Sequence, residues 1–239
     1  MTTYVLVHGA WHGAWCWDHV VPGLEAAGHK VITPELPGSG EDSTPAAEVT
    51  IEAYANKLVE VLDQQNKKVV MLGHSMGGLA ISAAAELRPD KIGALVYLSG
   101  FLPQSGQSLL SLEESNSNSS VPPALIVAED GVTGVIKTEM IKELFYHDCS
   151  DKDVAYATAH LHAQALAPLG TPVVVSEENF GSVPRYYILL TEDHAIHPNM
   201  QRQMFEASSC KEVFEIASSH SPFFSKKEEL VETIQKISA

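Results

Sequence analysis

Basic residues are scarce in this 239-residue chain: 15 Lys and Arg stand against 30 Asp and Glu, a formal net charge of −15. A polyanion with that balance repels nucleic acid and anionic lipid, so neither is an expected partner, and strongly anionic substrates are disfavoured. Cysteine is sparse too. Cys16, Cys149 and Cys210 make no CxxC pair and no Cys/His ligand spacing, which excludes a disulfide framework and points to reduced thiols. No apolar run approaches the ~18 residues of a membrane span. The chain as written enters an apolar run by Tyr4, which leaves no room for a signal segment, so a soluble, cytoplasmic protein is expected. What is present is 45% apolar residues in a chain long enough to bury about three-quarters of its unfolded surface. That suffices for one domain, or one domain carrying an insertion, without a metal or disulfide staple.

Short apolar runs alternate with helical patterns. Residues 4–7, 30–33, 68–72 and 94–98 read as strands, and residues 17–27, 51–65 and 76–87 as helices. Uniformly apolar strands in such an alternation imply a mostly parallel sheet covered by helices on both faces. The rhythm breaks after Pro103. Ser115–Ser120 has loop composition, and short helical patterns follow at 138–146 and 151–167. Strands resume at 185–190 and 213–216, and a last helix covers 226–237. The expected organisation is an α/β core of residues 1–102 and 183–239 with an inserted lid at 103–182.

The strongest local signal is Gly73-His74-Ser75-Met76-Gly77 between a strand and an alanine-rich helix. Presenting a hydroxyl at the top of a sheet requires a sharp reversal that strains the serine backbone and leaves no space for a Cβ at the flanking glycines. Ser75 is therefore the expected nucleophile. A serine needs a base, and His220, after the last strand and before the last helix, is placed to supply it. His8 and His12 read as structural or pocket-lining, and His74 as pointing away from Ser75. His194 and His197 stand at i, i+3 spacing without a further ligand, so no metal is expected. The orienting carboxylate belongs after the strand at 185–190, where Glu192 and Asp193 both occur. Asp193 is preferred because a residue or two is needed to clear the strand, and Asp130 is a more distant alternative. The main-chain N–H groups of Ala10 and Met76 are the expected oxyanion donors.

His8-Gly9-Ala10-Trp11-His12-Gly13-Ala14-Trp15, the 73–77 pentad, residues 180–185, Thr191-Glu192-Asp193 and His220 together resemble the α/β-hydrolase branch that holds plant methyl esterases and hydroxynitrile lyases. Small bacterial carboxylesterases of the pyrethroid-hydrolase type look similar over essentially the whole chain. The resemblance implies an α/β-hydrolase fold and a cofactor-free serine hydrolase with a lid over a mostly apolar pocket. Hydroxynitrile lyases of this branch carry threonine, glutamate and lysine where this chain has Gly9, His74 and Ser221. Without that ammonium nothing obvious stabilises a departing cyanide.

Trp11, Phe101, Leu102, Phe145, Leu161 and Phe223 are the candidate pocket residues, with Leu144, Tyr146 and Leu166 beside them. As a group they favour a hydrophobic ester. The expectation is a carboxylesterase acting on a small-molecule ester through an acyl-enzyme. A ligand receptor on the same fold and a lactonase or amidase are the alternatives, with a hydroxynitrile lyase last. A homodimer is compatible with the sequence.

Overall fold

The computed structural model describes residues 1–114 and 121–238, so the expected loop at Ser115–Ser120 lies outside the described residues. Among the described residues nine strands occur in chain order: β1 (Thr3–Val7), β2 (Lys30–Ile32), β3 (Val69–His74), β4 (Ile92–Leu98), β5 (Leu125–Val127), β6 (Thr133–Ile136), β7 (Gln164–Ala165), β8 (Arg185–Leu190) and β9 (Glu212–Ile216). Six of them form one sheet in the order β2-β1-β3-β4-β8-β9, and every pairing in it is parallel. β3 is buried along its whole length, and β1, β4 and β8 nearly so. Strands this apolar are stable only when helices cover both faces.

The helix Ile51–Asp63 shows how local sequence builds such a cover. The Thr50 side chain accepts from Ala53 N at 3.1 Å as its N-cap. Ile51, Tyr54, Ala55, Leu58 and Leu62 recur at helical spacing and are all buried. The helix Gly77–Leu87 is more apolar and leads directly from the strand that delivers Ser75.

β4 and β8 are neighbours in the sheet, with Leu95 opposite Arg185, so residues 103–182 emerge and return at adjacent strands. That insertion carries its own antiparallel sheet of β5, β6 and β7. Its return is anchored at Glu86, whose carboxylate accepts from Ser176 N, Ser176 Oγ, Asn179 Nδ2 and Phe180 N.

Two expected elements differ in the structure. Residues 17–27 divide into a 3-10 turn, Ala14–Trp17, and a short helix, Val21–Ala26, with Pro22 in its first turn. The helical pattern of 151–167 ends at His160, because Leu161 is extended and Gln164 pairs with Gly134 of β6. Tertiary pairing overrides local propensity there. A helix absent from the sequence reading, Pro198–Ala207, begins at Pro198.

Candidate active site

Ser75 lies at the turn between β3 and the helix Gly77–Leu87 with φ of +54°. For an L-residue other than glycine this region costs roughly 1–2 kcal/mol. Main-chain bonds hold it there. Ser75 N donates to Leu98 O at 3.3 Å, and Ser75 O accepts from Gly78 N and Phe101 N at 3.0 Å each. A Cβ on Gly73 would stand 2.6 Å from the Gly77 carbonyl, and one on Gly77 2.7 Å from His8 O. Those obstacles are backbone and cannot swing aside, so glycine is required at both positions. A Cβ on Gly9 would meet Ser75 Cβ at 2.8 Å, which sets the loop after β1 directly against the serine. Ala10 follows that contact and Met76 follows the serine; both are buried.

Asp193 follows β8 and is 1% exposed. Its Oδ1 accepts from Ala195 N at 2.7 Å and Ile196 N at 2.9 Å. Its Oδ2 receives the Ser99 hydroxyl at 2.6 Å and faces His220 Nδ1 at 2.7 Å. An ionised carboxylate only accepts, so the Nδ1 proton points at Asp193 and the neutral ring keeps its lone pair on Nε2. Ser99 was not foreseen. Its position immediately after β4 would have revealed it once β4 and β8 were known to be neighbours. Glu192 is exposed, and its carbonyl is what His147 Nε2 approaches, at 2.8 Å. Asp130 closes a turn by accepting from Val132 N. Asp193, and neither of these, faces His220.

His74 packs against His220 with ring centres 4.4 Å apart, and its Nε2 lies 2.9 Å from His220 O. The residue before the serine thus supports the loop that carries the imidazole. Among the described residues no hydrogen bond joins the Ser75 hydroxyl to the His220 ring; such contacts are often long before substrate arrives. His194 faces Glu143 and stacks on His147, whereas His197 caps the helix Pro198–Ala207, so the two do not converge.

The candidate pocket residues spread over several environments. Phe145 is buried with its ring 5.6 Å from that of His220 and 6.0 Å from that of Trp11. Trp11 and Leu161 line a cavity of about 300 Å³ with Ile136 and Ile141. Phe101 is buried beside Ser75 through its main-chain bond. Leu102 borders a separate cavity of about 120 Å³ with Met200 and Met204. Phe223 is wholly buried against Trp17 and His74, in the packing that supports the site.

His8 and His12 form the buried floor of the β1 loop. His8 Nδ1 donates to Gly9 O at 2.9 Å and Nε2 accepts from Leu36 N at 3.2 Å. His12 Nδ1 faces Ala10 O at 2.8 Å, and Nε2 faces the Tyr146 hydroxyl at 2.6 Å. The His8 pattern needs a neutral ring, because an N–H can only donate to Nε2, and in His12 the buried Tyr146 hydroxyl donates to Nε2 of a ring that burial keeps neutral. Burial pushes the His8 pKa down to about 4 and the His12 pKa down to about 3. The Glu35 carboxylate, 3.6 Å from His8 Nε2, therefore makes no ion pair with it. In the unfolded chain these imidazoles titrate near ~6.5. Below that pH the unfolded state binds the more protons, so stability is full above it and is lost as pH falls toward the folded values. We expect a loss of about 2 kcal/mol per ring between pH 7.5 and 5, read from urea midpoints. His8→Asn should make the decline shallower; an unchanged slope would show that His8 is not held neutral.

A fully parallel sheet, a strained serine at a strand-to-helix turn and a buried carboxylate–imidazole pair beyond an insertion define the α/β-hydrolase class. Residues 4–233 match the model of the alpha/beta hydrolase family, and the chain belongs to that family. Within it, the chain is 33% identical over 247 residues to the putative chloroplastic methylesterase 13 of Arabidopsis thaliana, covering 98% of this chain but 56% of that protein. It is 33% identical to methylesterase 2 of the same plant over 93% of this chain and 90% of the relative. It is also 33% identical to the plant's alpha-hydroxynitrile lyase, over 98% and 96%. Among solved structures, a pyrethroid hydrolase from Sphingobium faniae JZ-2 superposes with a TM-score of 0.89 at 29% identity, covering 98% of this chain and 96% of that one. No described helix is long and apolar enough to cross a membrane.

Proposed function

We propose that the protein is a serine carboxylesterase for small, largely hydrophobic esters. The observation that carries this reading is the buried 2.7 Å contact between His220 Nδ1 and Asp193 Oδ2, packed against His74, the residue that precedes the serine held at φ +54° on the elbow. Ser75 Oγ attacks the ester carbonyl while His220 Nε2 removes its proton. The tetrahedral oxyanion is held by the Ala10 and Met76 amides, and Asp193 stabilises the imidazolium. His220 returns the proton to the leaving alcohol. It then takes a proton from water as that water attacks the acyl-enzyme, and passes it to Ser75 Oγ as the acid leaves, restoring the hydroxyl and the neutral ring.

Names of relatives support ester chemistry, since two are called methylesterases. The cavity beside Trp11, where Val135, Ile136, Ile141 and Leu161 are interrupted by Thr138, Thr158 and His162, suits a hydrophobic moiety that carries a few polar atoms. Residues 103–182 serve as the lid over the site. The lyase relative is a weaker guide. The residue after His220 is the buried Ser221, and no lysine stands there to accept a developing cyanide charge.

The reading is tested with a fluorophosphonate probe and a short-chain p-nitrophenyl ester. Rapid labelling at Ser75 together with steady turnover is expected. Rapid labelling without turnover of esters, lactones or amides would favour a ligand receptor, and no labelling would remove Ser75 as nucleophile.

A further inference from the structure

We propose that the insertion is a working part of the oxyanion hole. Gln164 and Tyr146 are positioning residues that set the Ala10–Trp11 peptide, and with it the direction of the Ala10 N–H. This rests on the esterase reading of Ser75 and Ala10.

Trp11 has φ of +63°, a conformation that a bulky aromatic residue does not hold unaided. All three of its polar groups are bound by the insertion. Trp11 N donates to Gln164 Oε1 at 3.2 Å, its indole Nε1 donates to Gly134 O at 3.0 Å, and its carbonyl accepts from His162 N at 3.1 Å. The orientation of the Gln164 amide is determined by its partners. Its nitrogen donates to Ala165 O at 2.9 Å and to the Tyr54 hydroxyl at 3.0 Å, and a carbonyl can only accept. The oxygen is thereby turned to the Trp11 N–H, which can only donate. Gln164 is 1% exposed, so no water competes for that site.

The other end of the same peptide is held through a relay. Ala10 O accepts from His12 Nδ1, whose Nε2 accepts from the Tyr146 hydroxyl at 2.6 Å, and Tyr146 too belongs to the insertion. The peptide unit following the Ala10 N–H is thus clamped at its oxygen and its nitrogen, and both clamps lead to residues 103–182. A donor displaced by a fraction of an ångström stabilises the ground-state carbonyl much as before but serves the oxyanion poorly.

The test compares Gln164→Leu and Tyr146→Phe with wild type. Tyr156→Phe is the control, because it breaks a different bond between insertion and core, Tyr156 OH to Asp18 Oδ2 at 3.0 Å, away from the 10–12 loop. Hydrolysis of a short-chain p-nitrophenyl ester is measured alongside inhibition by a trifluoromethyl ketone and by the matching methyl ketone. The first forms a tetrahedral adduct with an oxyanion and the second does not. We expect kcat to fall ~10–100-fold in both test variants with KM nearly constant. The trifluoromethyl ketone should weaken by a similar factor, the methyl ketone should not, and Tyr156→Phe should match wild type. A loss of affinity shared equally by the two ketones, or an equal effect of Tyr156→Phe, would reduce the role to general packing and overturn the proposal. If Gln164→Leu does not fold, Tyr146→Phe decides alone. An active wild type with unaltered variants defeats this inference only; a wild type that neither turns over nor labels defeats the esterase reading as well.

Discussion

Ser75→Ala is expected to lower hydrolysis of a short-chain p-nitrophenyl ester at least ~10³-fold while leaving the urea midpoint close to that of wild type. The asymmetry follows from how the elbow is held. The strained backbone at position 75 is held by Leu98 O, Gly78 N and Phe101 N through main-chain atoms alone, so removing Oγ takes away the proposed nucleophile and no structural bond. The two amides proposed as oxyanion donors remain in the variant, and residual catalysis above the uncatalysed rate is expected from them. Turnover within tenfold of wild type would show that the hydroxyl does not attack.

Asp193→Asn should cost kcat about 10⁴-fold, the loss seen when the same exchange is made in the serine-protease template. The carboxylate here is surrounded by groups that either must donate or are best used as donors: Ala195 N, Ile196 N, the Ser99 hydroxyl and the His220 ring. An amide presents one acceptor and one donor. If its NH₂ turns to the two main-chain amides, two fixed donors face it. If it turns to His220, Nδ1 must accept and the proton moves to Nε2, the nitrogen that has to receive the serine proton. Steady-state kinetics read the loss, and a decrease below tenfold would mean that another acid orients the ring. Ser99 shares Oδ2 with His220, a feature that distinguishes this pair from an isolated contact.

The sheet was legible in the sequence because its central strands are buried on both faces and read as unbroken apolar runs; β8 is found at residues 185–190 as expected. The elbow was legible for a related reason: Gly73 and Gly77 face backbone that no side chain could replace. The small sheet of the insertion was not, since its strands are short and β7 has two residues with no pattern of its own. Gln164 was opaque as a contributor to the site, and Tyr146 was legible only as a pocket-lining candidate, not as a partner of His12. Nothing in a glutamine or a tyrosine announces that its partner is a loop more than 130 residues earlier, and only the meeting of insertion and β1 loop gives them meaning. His12 lies between these cases. Its place in the first loop was noticed, whereas its tautomer required knowing that Ala10 O lies on one side and Tyr146 on the other.

The pairing of β4 with β8 across the insertion has a consequence for biosynthesis. A growing chain reaches β4 early, but the strand that covers its free edge is made only after residues 103–182 have left the ribosome. Until then an apolar parallel edge is open to other chains, a hazard met by chaperones or by rapid synthesis. Asp193 and His220 both lie beyond that point, so a nascent polypeptide with its serine turn already shaped still lacks the carboxylate–imidazole pair proposed to activate it. On the esterase reading, activity waits until the chain beyond residue 182 has been made and has folded onto the sheet.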